Sequence, residues 1–120
     1  MCFVCWCFSQ AATALSVPNR VPRTGGVHVA WRQSKQVAGA RIVTPAEAGR
    51  NPTLVEPGMA FFIDSGGGRG HVGIVVENRN GTLVTIEGNT NDGGSREGIG
   101  VFRRQKRQIR HVTLGFCAYA

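Results

Sequence analysis

Apolar residues recur with two different periods along this 120-residue chain, and the change of period divides it in two. Val4, Phe8, Ala11 and Leu15 follow one another at spacings of 4, 3 and 4. That is the stripe of one helical face, so residues 2 to 16 predict a helix that Pro18 stops. Thr24 offers an N-cap for a second helix reaching to Lys35, with Val27, Ala30 and Trp31 on its apolar face. From Gly39 to Pro57 the chain is punctuated by Pro45, Gly49, Pro52 and Pro57. This stretch reads as a long connection with one helical turn at Pro45 to Ala48, since proline suits the first helical position.

After Pro57 the period is that of strands. Met59 to Ile63, Val72 to Glu77 and Leu83 to Glu87 are short β-rich runs, and the Asn80-Gly81 pair between the last two is a hairpin signal. Gly100 to Gln105 and Leu114 to Tyr119 complete an antiparallel sheet of about five strands. Helices first and strands afterwards give an α+β class. The length suits one domain spanning residues 1 to 120, and no internal repeat is evident.

Charge changes the picture more than hydrophobicity does. Fourteen Lys and Arg against seven Asp and Glu leave a net +7 and a pI near 10.3, which favours anionic partners. The densest basic stretch, Arg103 to His111, reads either as a charged edge strand or as a binding patch. Most aromatic residues lie away from it, which argues against a stacking platform for single-stranded nucleic acid. No apolar run approaches the roughly twenty residues of a membrane span. Ala12-Thr13-Ala14 mimics a signal-peptidase site, but no Lys or Arg precedes the apolar run before it, so the amphipathic helix is the better reading.

Four cysteines do not make a disulfide framework in a chain of this size. Cys2, Cys5 and Cys7 share one helix, and Cys2-Phe3-Val4-Cys5 lacks the preceding strand of a thioredoxin-like site. No second closely spaced ligand pair completes a zinc site. The chemistry lies further on. His71, in Gly70-His71-Val72-Gly73, enters a strand after a glycine-rich loop, and Glu87 and Asn89 follow on the next strand, two apart and so on one side. A histidine that moves a proton needs a partner on its second ring nitrogen, and either Glu87 or Asn89 is placed to accept the Nδ1 proton. The glycine-rich loop lacks the Gly-Lys-Ser/Thr of a nucleotide site and leads into a strand. The loop from Gly93 to Arg103 follows the site directly, with Arg96 or Arg103 available for carboxylates. Trp6 and Trp31 read as core, and His28 and His111 have no motif around them.

With Pro57-Gly58-Met59-Ala60-Phe61-Phe62 before the histidine and Phe3-Val4-Cys5-Trp6 near the start, the chain resembles the CHAP domain, the cysteine- and histidine-dependent amidohydrolase/peptidase group of the papain-like NlpC/P60 peptidases. In that family a pattern Trp-Cys-x-x-Phe-Val-x-Trp opens the first helix and its Cys is the nucleophile. Phe3-Val4-Cys5-Trp6 matches the end of the pattern, which puts the nucleophile one position before Met1 and makes the N-terminal edge of the domain incomplete. Cys2 lies roughly 200° around the helix from that position and serves only if the first turn frays, while Cys7 returns to the right face about 10 Å further along. The resemblance implies a papain-like fold, cleavage of amide bonds in peptidoglycan or wall peptides, and His71 with Glu87 and Asn89 as catalytic residues. It also implies a cell-envelope or extracellular setting, a monomer, no cofactor or metal, and no nucleic acid. A module that binds anionic wall material without cleaving it is the alternative.

Overall fold

The computed structural model describes residues 2–24, 26–89 and 100–119. Helix α1 spans Cys2–Leu15. It ends with Ser16 in the left-handed region (φ 55) and the Val17 amide donating to the Ala12 carbonyl, so the last carbonyls are capped before Pro18. Only the first half of the expected stripe is used. Val4 is fully buried with Phe3 and Phe8 packed around it, whereas Leu15 is 71% exposed. Trp6, expected in the core, is 61% exposed, because its position points off the buried face.

Helix α2 runs Val27–Ser34, starting later than the Thr24 cap predicts. Gly26 is the N-cap and has no side chain to offer; Thr24 instead accepts the Gly26 amide hydrogen through Oγ1 at 3.2 Å, closing a local turn before the helix. The Gly39–Pro57 connection contains more structure than its prolines suggest. Strand β1 covers Arg41–Val43, and α3 covers Pro45–Arg50 behind a capping box in which Thr44 and Glu47 bond each other's backbone amides. A short 3-10 turn, Pro52–Leu54, follows.

Among the described residues the sheet has six antiparallel strands, one more than expected, in the order β1-β6-β2-β3-β4-β5. The others are β2 Ala60–Gly66, β3 Arg69–Arg79, β4 Thr82–Asn89, β5 Gly100–Gln108 and β6 Gly115–Ala118. The extra strand is β1, whose three residues pair with β6 and are too few to show a period. Between β3 and β4 the expected hairpin forms, with Asn80 at φ 53 and Gly81 at φ 94. The glycine-rich loop is the β2-to-β3 turn, where Gly66, Gly67 and Gly68 all take positive φ.

Alternation along the strands divides the core. Ala60, Phe62, Val72 and Cys117 turn to the face covered by α1 and α2, with Val4, Trp31 and Tyr119. Phe61, Val75, Leu83 and Phe116 turn to the other face, where Ala48 of α3, Val55 and Ile109 close the cluster. The second face carries the site.

Candidate active site

β3 and β4 pair with Gly73 opposite Glu87, and His71 lies two residues earlier on the same face as Gly73. Gly73 makes the close packing there possible. A Cβ on it would sit 2.5 Å from the Phe61 ring and 2.9 Å from Glu87 Cγ. The Phe61 and His71 rings meet edge to face at 6.2 Å.

Glu87 is 1% exposed, a position in which a bare carboxylate is costly. Its oxygens are saturated. Oε1 accepts from His71 Nε2 at 2.5 Å, from Arg107 Nη2 at 2.5 Å and from Arg104 Nε at 3.1 Å. Oε2 accepts from Thr85 Oγ1 at 2.6 Å and from Arg107 Nε at 3.1 Å. Burial pushes the Glu87 carboxyl up, but hydrogen bonds from His71, Arg107 and Thr85 and the Arg107 charge outweigh it and hold the group down at about 2. Glu87 is therefore an anion with its acceptor sites spent. It orients other groups and has no lone pair left to act as base or nucleophile.

The tautomer of His71 follows from that. An acceptor-only carboxylate against Nε2 places the ring proton on Nε2 and leaves the Nδ1 lone pair as the basic site. The expected bond from Nδ1 is thus replaced by one from Nε2, and Nδ1 takes no hydrogen bond among the described residues. Of the two expected orienters, Glu87 makes the contact; Asn89 ends β4, and its side chain lies outside the described residues. Arg96 and the rest of the loop before Gly100 lie outside them too. Arg103 pairs with Ile86, one position off the Glu87 face, and so does not join the site.

Arg104, Arg107 and Thr85 complete the cluster, and none of the three was read from the sequence. Thr85 was within reach, since Thr85 and Glu87 share a face by simple alternation. The arginines were not. Three apart on a regular strand, they would point to opposite faces, but β5 is bulged: Leu83 pairs with Arg107 and Thr85 with Arg104, so two β4 steps face three on β5 and both guanidiniums reach Glu87. The basic run is an exposed edge strand as expected, with Arg107 turned inward over the Phe61 ring at 5.8 Å.

Helix α1 approaches the same end of the sheet from the other face. A Cβ on Gly88 would lie 2.5 Å from Phe3 Cβ. No thiol of the described side chains touches His71. Cys5 donates to the Pro22 carbonyl at 3.2 Å, burial raises the Cys7 thiol, and burial pushes the Cys117 thiol up to about 11. His28 bonds Asp64 at 3.1 Å and His111 accepts the Gln108 amide at Nδ1, both away from Glu87. Among the described residues no three potential metal ligands gather.

A model of the CHAP domain family matches residues 1–89, which takes in α1, His71 and Glu87. The chain belongs to the CHAP domain family. Membership gives this CHAP domain a peptidoglycan-hydrolase type of function in general, with peptidoglycan as the substrate implied. No curated protein and no solved structure matches the chain. Arg104 and Arg107 lie beyond the matched residues. No described helix is long and apolar enough to cross a membrane.

Proposed function

We propose that this CHAP domain is a cysteine-type amidohydrolase or endopeptidase that cuts amide bonds in peptidoglycan, with His71 as base and acid and Glu87 as its orienter. The observation that carries the reading is the buried, ionised Glu87 on His71 Nε2, which leaves Nδ1 as a directed base. The α+β order of helix and then antiparallel sheet supports a papain-like arrangement within a single domain. By resemblance the nucleophile is the cysteine of the family pattern whose end, Phe3-Val4-Cys5-Trp6, lies in α1.

The proposed chemistry has two halves. The thiol passes its proton to Nδ1, and the thiolate attacks the amide carbonyl carbon. The C–N bond then breaks, the amine leaves with the proton from Nδ1, and a thioester remains. Water gives a proton to Nδ1, attacks the thioester carbon, and the thiol departs reprotonated. Glu87 stabilises the imidazolium at both stages, and its arginines keep it from taking the proton itself.

The test is release of new amino groups from purified peptidoglycan by the protein from its native source, with its intact mass recorded. His71→Ala is expected to lower the rate by about 10²–10⁴-fold; full activity in that variant sinks the assignment. A second reading, binding of anionic wall material without cleavage, draws on the +7 charge and on the separation of the described thiols from His71. Wall sedimentation that persists in His71→Ala and Glu87→Ala, with no amine released by the wild type, selects it.

A further inference from the structure

Edge strand β5 and the turn after it form a pocket of about 480 Å³ lined by Arg104, Gln105, Lys106, Arg107 and His111. Among the described residues no acidic side chain lines it. Two of its walls are the guanidiniums bound to Glu87, so the pocket lies one carboxylate away from His71. Arg104 spends only Nε on Glu87 and its side chain is 55% exposed, which leaves its two Nη groups for a ligand. Arg107, 18% exposed, keeps one Nη. His111 accepts the Gln108 amide hydrogen at Nδ1, so its ring proton sits on Nε2 as a donor. Two of these cationic side chains, Arg104 and Arg107, thus share a single carboxylate, Glu87, which His71 also uses.

We propose that this pocket is a binding subsite for a carboxylate of the wall peptide, held by Arg104 and Arg107 with Lys106 beside them, next to the amide presented to His71. The inference rests on the reading that the site works on wall peptides. A guanidinium matches a planar carboxylate in a two-point fork, and the exposed Nη pair of Arg104 offers that fork. Gln105 supplies an amide donor and acceptor suited to peptide backbone, which a phosphate ester does not provide. The subsite also explains why the basic run is concentrated on the strand beside Glu87.

Titration of the ¹⁵N-labelled protein with N-acetyl-Ala-Ala, its C-terminal amide and methyl phosphate, followed by NMR, tests this without turnover. The free carboxylate is expected to shift the Arg104 Nε–H, Gln105 and Arg107 signals saturably and to bind at least about fivefold more tightly than the amide. Lys106→Ala, which leaves the Glu87 cluster intact, is expected to weaken it about threefold. Equal binding of acid and amide, or no shift at these residues, overturns the proposal. Methyl phosphate binding at least about fivefold more tightly than the acid overturns the carboxylate in favour of a phosphate-bearing polymer. Acid-selective binding with no amine released from peptidoglycan keeps the subsite and removes the hydrolase reading. Release that depends on His71, with acid and amide bound alike, does the reverse.

Discussion

On the face of the sheet covered by α1 and α2, the buried polar groups are neutral. Ser34 donates to the Ala30 carbonyl at 2.7 Å and accepts from the Tyr119 hydroxyl at 2.6 Å, with apolar side chains around them. On the opposite face an ionised carboxylate, 1% exposed, is held by two arginines, a histidine and a threonine. Both faces satisfy their polar atoms; no described buried side-chain nitrogen or oxygen lacks a partner. The difference is in what a loss costs. A neutral hydrogen bond can be deleted for about 1 kcal/mol, whereas removing one member of a buried ion cluster strands the charges that remain. The first face is built for stability, and the second commits stability to holding one histidine nitrogen in one direction.

The comparison breaks most sharply at Glu87. Glu87→Ala leaves Arg107 with a largely covered guanidinium and no counter-ion among the described residues, and is expected to lower the unfolding free energy by about 3 kcal/mol in urea denaturation. Glu87→Gln keeps the volume and is expected to lose less. If both unfold at the wild-type midpoint, the cluster is not the strong point of its face.

The two faces should also fail at opposite ends of the pH scale. Glu87 is held at about 2 in the folded protein against an ordinary 4.5. Its contribution is full above pH 4.5 and is lost as the pH falls towards 2. Tyr119 is the reverse case. Burial raises its phenol above the ordinary 10, so its contribution is full below pH 10 and is lost as the pH rises beyond that. Stability measured against pH should therefore lose its acid limb in Glu87→Gln and part of its alkaline limb in Tyr119→Phe. An acid limb unchanged by Glu87→Gln would place the acid sensitivity elsewhere.

A smaller effect is expected where the face is closed by the absence of a side chain. Gly73→Ala puts a methyl 2.5 Å from the Phe61 ring and 2.9 Å from Glu87 Cγ. The cost of such overpacking is about 1–3 kcal/mol. The displaced carboxylate should also loosen its bond to His71, visible as a change in the imidazole nitrogen shifts. A variant that keeps both wild-type stability and wild-type shifts would show that the packing at Gly73 yields freely.

How much of this was legible beforehand depended on the range of the interaction that decides each element. α1, α3 and the Asn80-Gly81 hairpin are decided by neighbours along the chain and were readable from spacing, a proline and an Asn-Gly pair. His71 and Glu87 on one face of adjacent strands were readable because one hairpin joins the two strands. β1 was not, since three residues carry no period and only pairing with β6 makes them a strand. Trp6 runs against its residue type: a large aromatic side chain suits the core, but the burial of Val4 fixes a different face of α1. The arginines of the cluster were hidden by a bulge, which shifts the alternation of β5 by one residue without a glycine to mark it.

Two fully buried hydroxyls give the finest version of the contrast. Ser34 and Thr85 are both 0% exposed. Ser34 serves a neutral phenol, and Ser34→Ala is expected to cost about 1 kcal/mol. Thr85 donates to an anion, and Thr85→Val, which keeps the shape and removes the donor, is expected to cost about 1.5–3 kcal/mol. Their pH signatures separate them further. Losing the Thr85 bond removes one of the interactions that lower the Glu87 carboxyl, so the acid limb should end at a higher pH and be smaller. Ser34→Ala should leave the acid limb alone and move only the alkaline one, because the bond it removes is to Tyr119. Equal costs and unshifted limbs in both variants would mean that the charge on Glu87 does not reach its hydroxyl partner, and that the two faces differ in composition without differing in kind.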